Sequence, residues 1–167
     1  MDQQSIFFTV LVAIVSFPLM LLAIKFQSKK INIKVEEKIS TSFTIWFSSF
    51  FISFTLFLKI ALQEIENTIE IIIYSRTISN TFFEVMQKIS INIGFTFLAT
   101  FFVYYIINTV TKLFLGDRKN HIEMDNNNIT YFVIKGLVFV LFTFAILPFF
   151  EHFLQWFAPI VNTPFYH

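Results

Sequence analysis

Four apolar runs alternate with polar stretches along the chain, at 6–24, 41–58, 89–111 and 129–150. Each is long enough to cross a hydrocarbon layer of roughly 30 Å. Taken as helices with their flanking turns, they predict spans at 6–24, 41–62, 89–113 and 129–150 within one polytopic domain covering 1–167. The expected fold class is an all-α integral membrane protein, with four transmembrane helices in a bundle and a C-terminal interfacial helix in the tail 149–167.

The second run has two unlike halves when it is turned at about 100° per residue. Phe43, Trp46, Phe47, Phe50, Phe51, Phe54 and Phe57 fall on one; Thr41, Ser42, Thr44, Ser48, Ser49, Ser53 and Thr55 fall on the other. Small hydroxyl residues suit close approach of a neighbouring helix, so that half is expected to meet another span. The third run carries a matching ladder, Asn92, Thr96, Thr100, Tyr104 and Asn108, one residue every four. Ridges of this kind interlock between helices, and asparagines at bilayer depth are costly against lipid. The two polar faces are therefore expected to form a seam, as dry packing within the chain, as a contact between copies, or as the wall of a pore. The candidate packing or pore-lining residues are Thr41, Thr44, Ser48, Ser49, Ser53, Asn92, Thr96, Thr100, Tyr104 and Asn108.

Between these runs, Ile65, Ile69 and Ile72 are spaced i, i+4, i+7, as are Phe82, Met86 and Ile89. Both arms then read as helix around a polar turn at 75–80, and Thr81 with Glu84 has the form of a capping box. Spans two and three thus form a candidate long antiparallel hairpin extending outside the membrane; a loosely structured acidic loop over 63–88 is the competing expectation. After Pro148 the pattern becomes amphipathic, with Phe149, Phe153, Trp156, Phe157 and Ile160 opposite Glu151, His152 and Gln155. This predicts that the fourth span ends at Pro148 and that the tail lies in the interface.

Composition agrees with the pattern: only 14% of residues are charged and mean hydropathy is +0.70. Charge adds orientation. Lys25, Lys29, Lys30, Lys34 and Lys38 lie in the first connection, and Lys112, Arg118 and Lys119 lie in the third, with Lys135 just inside the fourth span. The connection between spans two and three has only Lys59, Arg76 and Lys88, and the tails have none. The positive-inside rule then places connections one and three in the cytoplasm and both termini outside, in the cell inner (plasma) membrane. The run at 6–24 has its basic residues after it rather than before, so it is expected to be a retained helix. Lys29, Lys30, Lys34, Lys38, Arg118 and Lys119 are candidate contacts for a cytoplasmic protein partner or for anionic lipid. Lys135 is expected to extend its stem back to the headgroups.

Candidate chemistry is sparse. Without cysteine there is no thiolate or iron–sulfur site. His121, Glu123 and Asp125 could ligate a metal by type, but their short run reads first as a solvated turn, and no metal or other cofactor is expected. His152 beside Glu151 reads as a wet interfacial pair rather than a pH sensor. The hydroxyls of span two have no histidine at matching depth to activate them, and three glycines do not make a phosphate-cradling loop. No nucleic-acid stripe is present either. The expected function is a non-enzymatic membrane subunit that homo-oligomerises and serves as anchor, sensor or accessory for a cytoplasmic partner, in secretion, transport or immunity and defence. An oligomeric ion channel with a neutral polar lining is the alternative.

Overall fold

A computed structural model describes the backbone of residues 3–28, 34–35, 38–74 and 81–158, and nearly all of it is helical. In chain order the elements are α1 (Gln3–Gln27), β1 (Lys34–Val35), β2 (Lys38–Ile39), α2 (Thr41–Tyr74), α3 (Thr81–Leu115), α4 (Asn120–Asp125) and α5 (Ile129–Gln155). Four of them, α1, α2, α3 and α5, are long and apolar enough to cross a membrane. The two short strands pair antiparallel, Lys34 opposite Ile39 and Val35 opposite Lys38. The turn at 75–80, Lys29, Lys30 and Ile160 lie outside the described residues, as do the side chains of Lys34 and Lys38.

The central element is α2, with α5, α3 and α1 all packed against it. This placement goes beyond the expectation that the hydroxyl half meets another span. Trp46, Phe50, Phe54 and Phe57 from the aromatic side are buried together with Ser42, Ser49 and Ser53 from the hydroxyl side. A helix with neighbours on three sides buries both halves. The aromatic half meets α3 directly: Phe50 packs on Phe101 and Tyr104, and Phe54 on Phe97, with ring centroids 5.0–5.5 Å apart. Such pairs add about 0.5–1.5 kcal/mol beyond the area they bury. On the α5 side, Phe50 and Phe57 meet Phe139 and Phe150 edge to face.

Ser49 sits against Gly136 at a close approach of α2 and α5. A methyl group added at Gly136 would overlap the Ser49 hydroxyl, so glycine at 136 and a small residue at 49 jointly set that separation. By contrast, Thr41, Thr44 and Ser48 are exposed. Contact between α2 and α3 is therefore aromatic where a hydroxyl seam was expected, with Ser49 meeting α5 and Thr41, Thr44 and Ser48 on open surface.

Spans two and three are long helices of 34 and 35 residues, each about 50 Å at 1.5 Å per residue. Their far ends pack through Ile65, Ile69, Ile72, Val85 and Ile89, joined by Val12 of α1. The isoleucine spacing on α2 is buried as the pattern predicts. On α3 the predicted set is buried only in part: Ile89 points inward as expected, together with Val85 and Asn92, while Phe82 is 67% exposed and Met86 is exposed. Apolar residues on every side of α3 leave periodicity with little phase information.

Pro148 does not end the fourth span; α5 continues through it to Gln155. The missing N–H leaves one carbonyl of the preceding turn without its helical donor, which a packed helix tolerates. Phe150 and Leu154 are buried beyond the proline, and Phe153 and Phe157 pack on Phe95. Trp156 is 80% exposed and Phe149 also points away, so the expected apolar face of the tail is split, and a separate interfacial helix does not begin at 149.

Candidate functional site

The first three residues of the polar ladder of α3 are bonded to their own backbone. Asn92 donates to the Lys88 carbonyl, Thr96 to Asn92 and Thr100 to Thr96, each 2.8–2.9 Å away. Ser49 on α2 and Thr143 on α5 do the same with Ile45 and Phe139. A hydroxyl that reaches its i−4 carbonyl needs no partner on another helix. Thr96 and Thr100 are completely buried, so these residues pack as small, locally satisfied side chains. The Ser53 hydroxyl and the side-chain amide oxygen of Asn92 are buried without a partner among the described residues.

At the end of the helices where α2 begins, the pattern reverses and side chains bond across elements. Asn127, at φ 47°, accepts from the Ser40 hydroxyl at 2.9 Å and from the Ser42 backbone N–H at 3.1 Å. Its amide oxygen thus satisfies a free donor in the first turn of α2, and it ties the first and third connections to one end. Asn128 caps α5 by accepting from the Tyr131 N–H and holds Glu123 at 2.6 Å. The connection that reads as a solvated turn contains a short helix, α4, whose Met124 is fully buried in the main core.

Asn120, the first residue of α4, is the hub. Its amide nitrogen donates to the Tyr104 hydroxyl at 3.2 Å and, more weakly, to Asn108 at 3.4 Å. Its amide oxygen accepts from Lys135 at 2.6 Å and from the Tyr131 hydroxyl at 3.0 Å. Trp46 of α2 donates to Tyr104 from the other side. One asparagine thereby links α2, α3, α4 and α5. The Lys135 ammonium lies 5.5 Å from both the Tyr104 and Tyr131 ring centres, within cation–π range. Lys135 is 4% exposed; its side chain reaches towards the third connection and ends on Asn120, enclosed by protein. A fixed acceptor and two ring faces replace the water that the extended stem would reach.

Beside this hub a pocket of about 450 Å³ opens between α3, the third connection and α5, lined by Asn108, Lys112, Arg118, Lys119, Tyr131 and Lys135 among others. Lys112 pairs with Asp117 at 2.9 Å, and this hydrogen bond holds the Asp117 carboxyl below the usual aspartate range. Arg118 pairs with Glu123 at 3.2 Å. With Glu123 occupied by Arg118 and Asn128, the His121, Glu123 and Asp125 run forms no metal cluster among the described residues.

Of the sequence candidates, Tyr104, Asn108, Arg118 and Lys119 gather around this pocket and its hub. Ser49, Ser53, Asn92, Thr96 and Thr100 lie in the packed interior, and Thr41, Thr44 and Ser48 lie on open surface. Sequence reasoning missed Asn120 and the enclosure of Lys135. The signal for the second was the lysine itself, an ionisable residue within an apolar run. No family model, no curated protein and no solved structure matches this chain.

Proposed function

We propose that this chain is a non-enzymatic integral membrane subunit, a four-helix bundle in the inner (plasma) membrane with both termini outside. It associates with copies of itself and serves as anchor, sensor or accessory for a cytoplasmic protein. The observation that carries this reading is the joining at one end, by Asn127 and Ser40, of the first connection, with its lysines, and the third, with Arg118 and Lys119. Helices with exposed Leu98, Phe102, Leu137, Leu141 and Phe144 along their outer faces suit lipid, and a cationic end suits the cytoplasmic surface. The exposed strip Thr41, Thr44 and Ser48 is the part of the expected packing face still open to another helix, and small residues favour such contacts.

Native mass spectrometry of the protein extracted gently from its own membrane tests the proposal. A discrete homo-oligomer is expected, with or without a second protein, and Ser48→Phe should weaken it. A bare monomer in every preparation contradicts it. The channel alternative requires ion flux from reconstituted protein that falls in Thr100→Leu and Asn108→Leu. Because Thr96 and Thr100 are enclosed within a single chain, the packing role is the better supported one.

A further inference from the structure

Lys135 presents a problem of charge. An ammonium carries three donors, and the contacts around this one are the Asn120 amide oxygen and the faces of two tyrosines. None of these carries a full negative charge. Among the described residues, no carboxylate lies within ion-pair distance of Lys135 or of Lys119. A buried cation without a counter-charge is costly, and the cost falls when an anion comes within hydrogen-bonding reach.

The pocket beside Lys135 supplies the place for one. Its lining brings Lys112, Arg118, Lys119 and Lys135 to a single concavity, with the Asn108 and Asn120 amides and no acidic residue among the lining side chains. Its volume of about 450 Å³ falls in the range of small-ligand sites. Arginine and lysine together match the several acceptor oxygens of a phosphate, and such charge-assisted bonds are the strong ones. Next to Lys112, Leu113 and Phe114 are 81% and 86% exposed, which sets apolar surface beside the cationic mouth.

We propose that this pocket binds a phosphate-bearing anion, with Lys135 as its buried cationic floor and Arg118 and Lys119 as its rim. The shared chemistry is the phosphate group, carried by an anionic phospholipid headgroup or by a soluble phosphate. The proposal deepens the assignment of Arg118 and Lys119 as partner or lipid contacts. It uses only one chain, so its failure would leave self-association untouched, and loss of self-association would leave the pocket intact.

The test is phosphorus NMR on the full chain in a maltoside detergent, which contributes no phosphorus signal. One arm adds dihexanoyl-phosphatidylglycerol and the other adds inorganic phosphate. Saturable broadening is expected in the wild type. Arg118→Gln with Lys119→Gln, and separately Lys135→Met, should each weaken it about tenfold or more, whereas Lys59→Gln, an exposed position remote from this pocket, should leave it unchanged. Tighter binding of the lipid assigns the site to a headgroup; equal affinity in the two arms assigns it to soluble phosphate. If Lys135→Met does not fold, the rim variant, whose side chains are exposed, decides. Absence of saturable broadening in both wild-type arms, or undiminished affinity in the rim variant, overturns the proposal.

Discussion

The middle of the packed helices and their basic end use polar residues in opposite ways. In the middle, Thr96, Thr100, Ser49 and Thr143 bond backward to their own helices, and contact between helices is left to aromatic rings. At the basic end, Asn120, Asn127, Tyr104 and Lys135 bond across elements. Local satisfaction frees a helix face to be selected by shape alone. Cross-element bonding instead fixes where one particular connection docks. The chain thus separates two tasks: packing through rings and small residues, and positioning of its charged end through amides and hydroxyls.

The largest effect is expected from the middle. Phe50 is fully buried among Trp46, Phe101, Tyr104 and Phe139, so Phe50→Ala should destabilise by about 4 kcal/mol, read by reversible unfolding in mixed micelles. Asn120→Leu should cost about 3 kcal/mol, since it strips the Lys135 ammonium and the Tyr131 hydroxyl of their acceptor. Protease nicking near residue 118 should accelerate in the same variant, while the aromatic core around Phe50 stays packed. If Asn120→Leu were neutral, the cross-element network would not position the connection.

Glycines give the next contrast. Gly136→Ala should destabilise by about 2 kcal/mol, because the new methyl meets Ser49. Removing that hydroxyl with Ser49→Ala should restore part of the loss. Gly94 faces open space, so Gly94→Ala should be stabilising by up to about 1 kcal/mol through helix propensity alone. Equal effects at the two positions would dissolve the close approach of α2 and α5. The smallest change is expected at the ladder: Thr100→Val should stay within about 0.5 kcal/mol, as its hydroxyl serves only the Thr96 carbonyl.

Much of the helical plan was legible in the residue pattern. The apolar runs located the four long helices, and Ile65, Ile69 and Ile72 identified the inward face of the C-terminal part of α2. Phase was legible only where polar residues marked one side. Asn92, Thr96 and Thr100 do so on α3, whereas Phe82 and Met86, in a turn where apolar and polar residues are mixed on each side, suggested the wrong face. The amphipathic pattern after Pro148 suggested a surface helix because Phe149 and Trp156 share a side; Phe150 and Leu154, packed on the core, keep α5 intact instead. The hub was hidden for a different reason. Asn120 lies in a polar connection where asparagine is ordinary, and its role depends on Lys135 fifteen positions later reaching it. Nothing in local periodicity encodes that meeting.

The contrast between a dry middle and an open basic end is tested most directly by thiol labelling, because the chain contains no cysteine and each introduced one reports alone. Thr100→Cys and Lys119→Cys would be treated, in intact membranes opened to both sides, with a charged membrane-impermeant thiol reagent. The expected result is complete labelling at 119 and none at 100, where the native side chain has no exposed surface. Labelling of 100 at a rate comparable with 119 would mean that water reaches the ladder, contradicting dry packing and reviving a conducting path along α3.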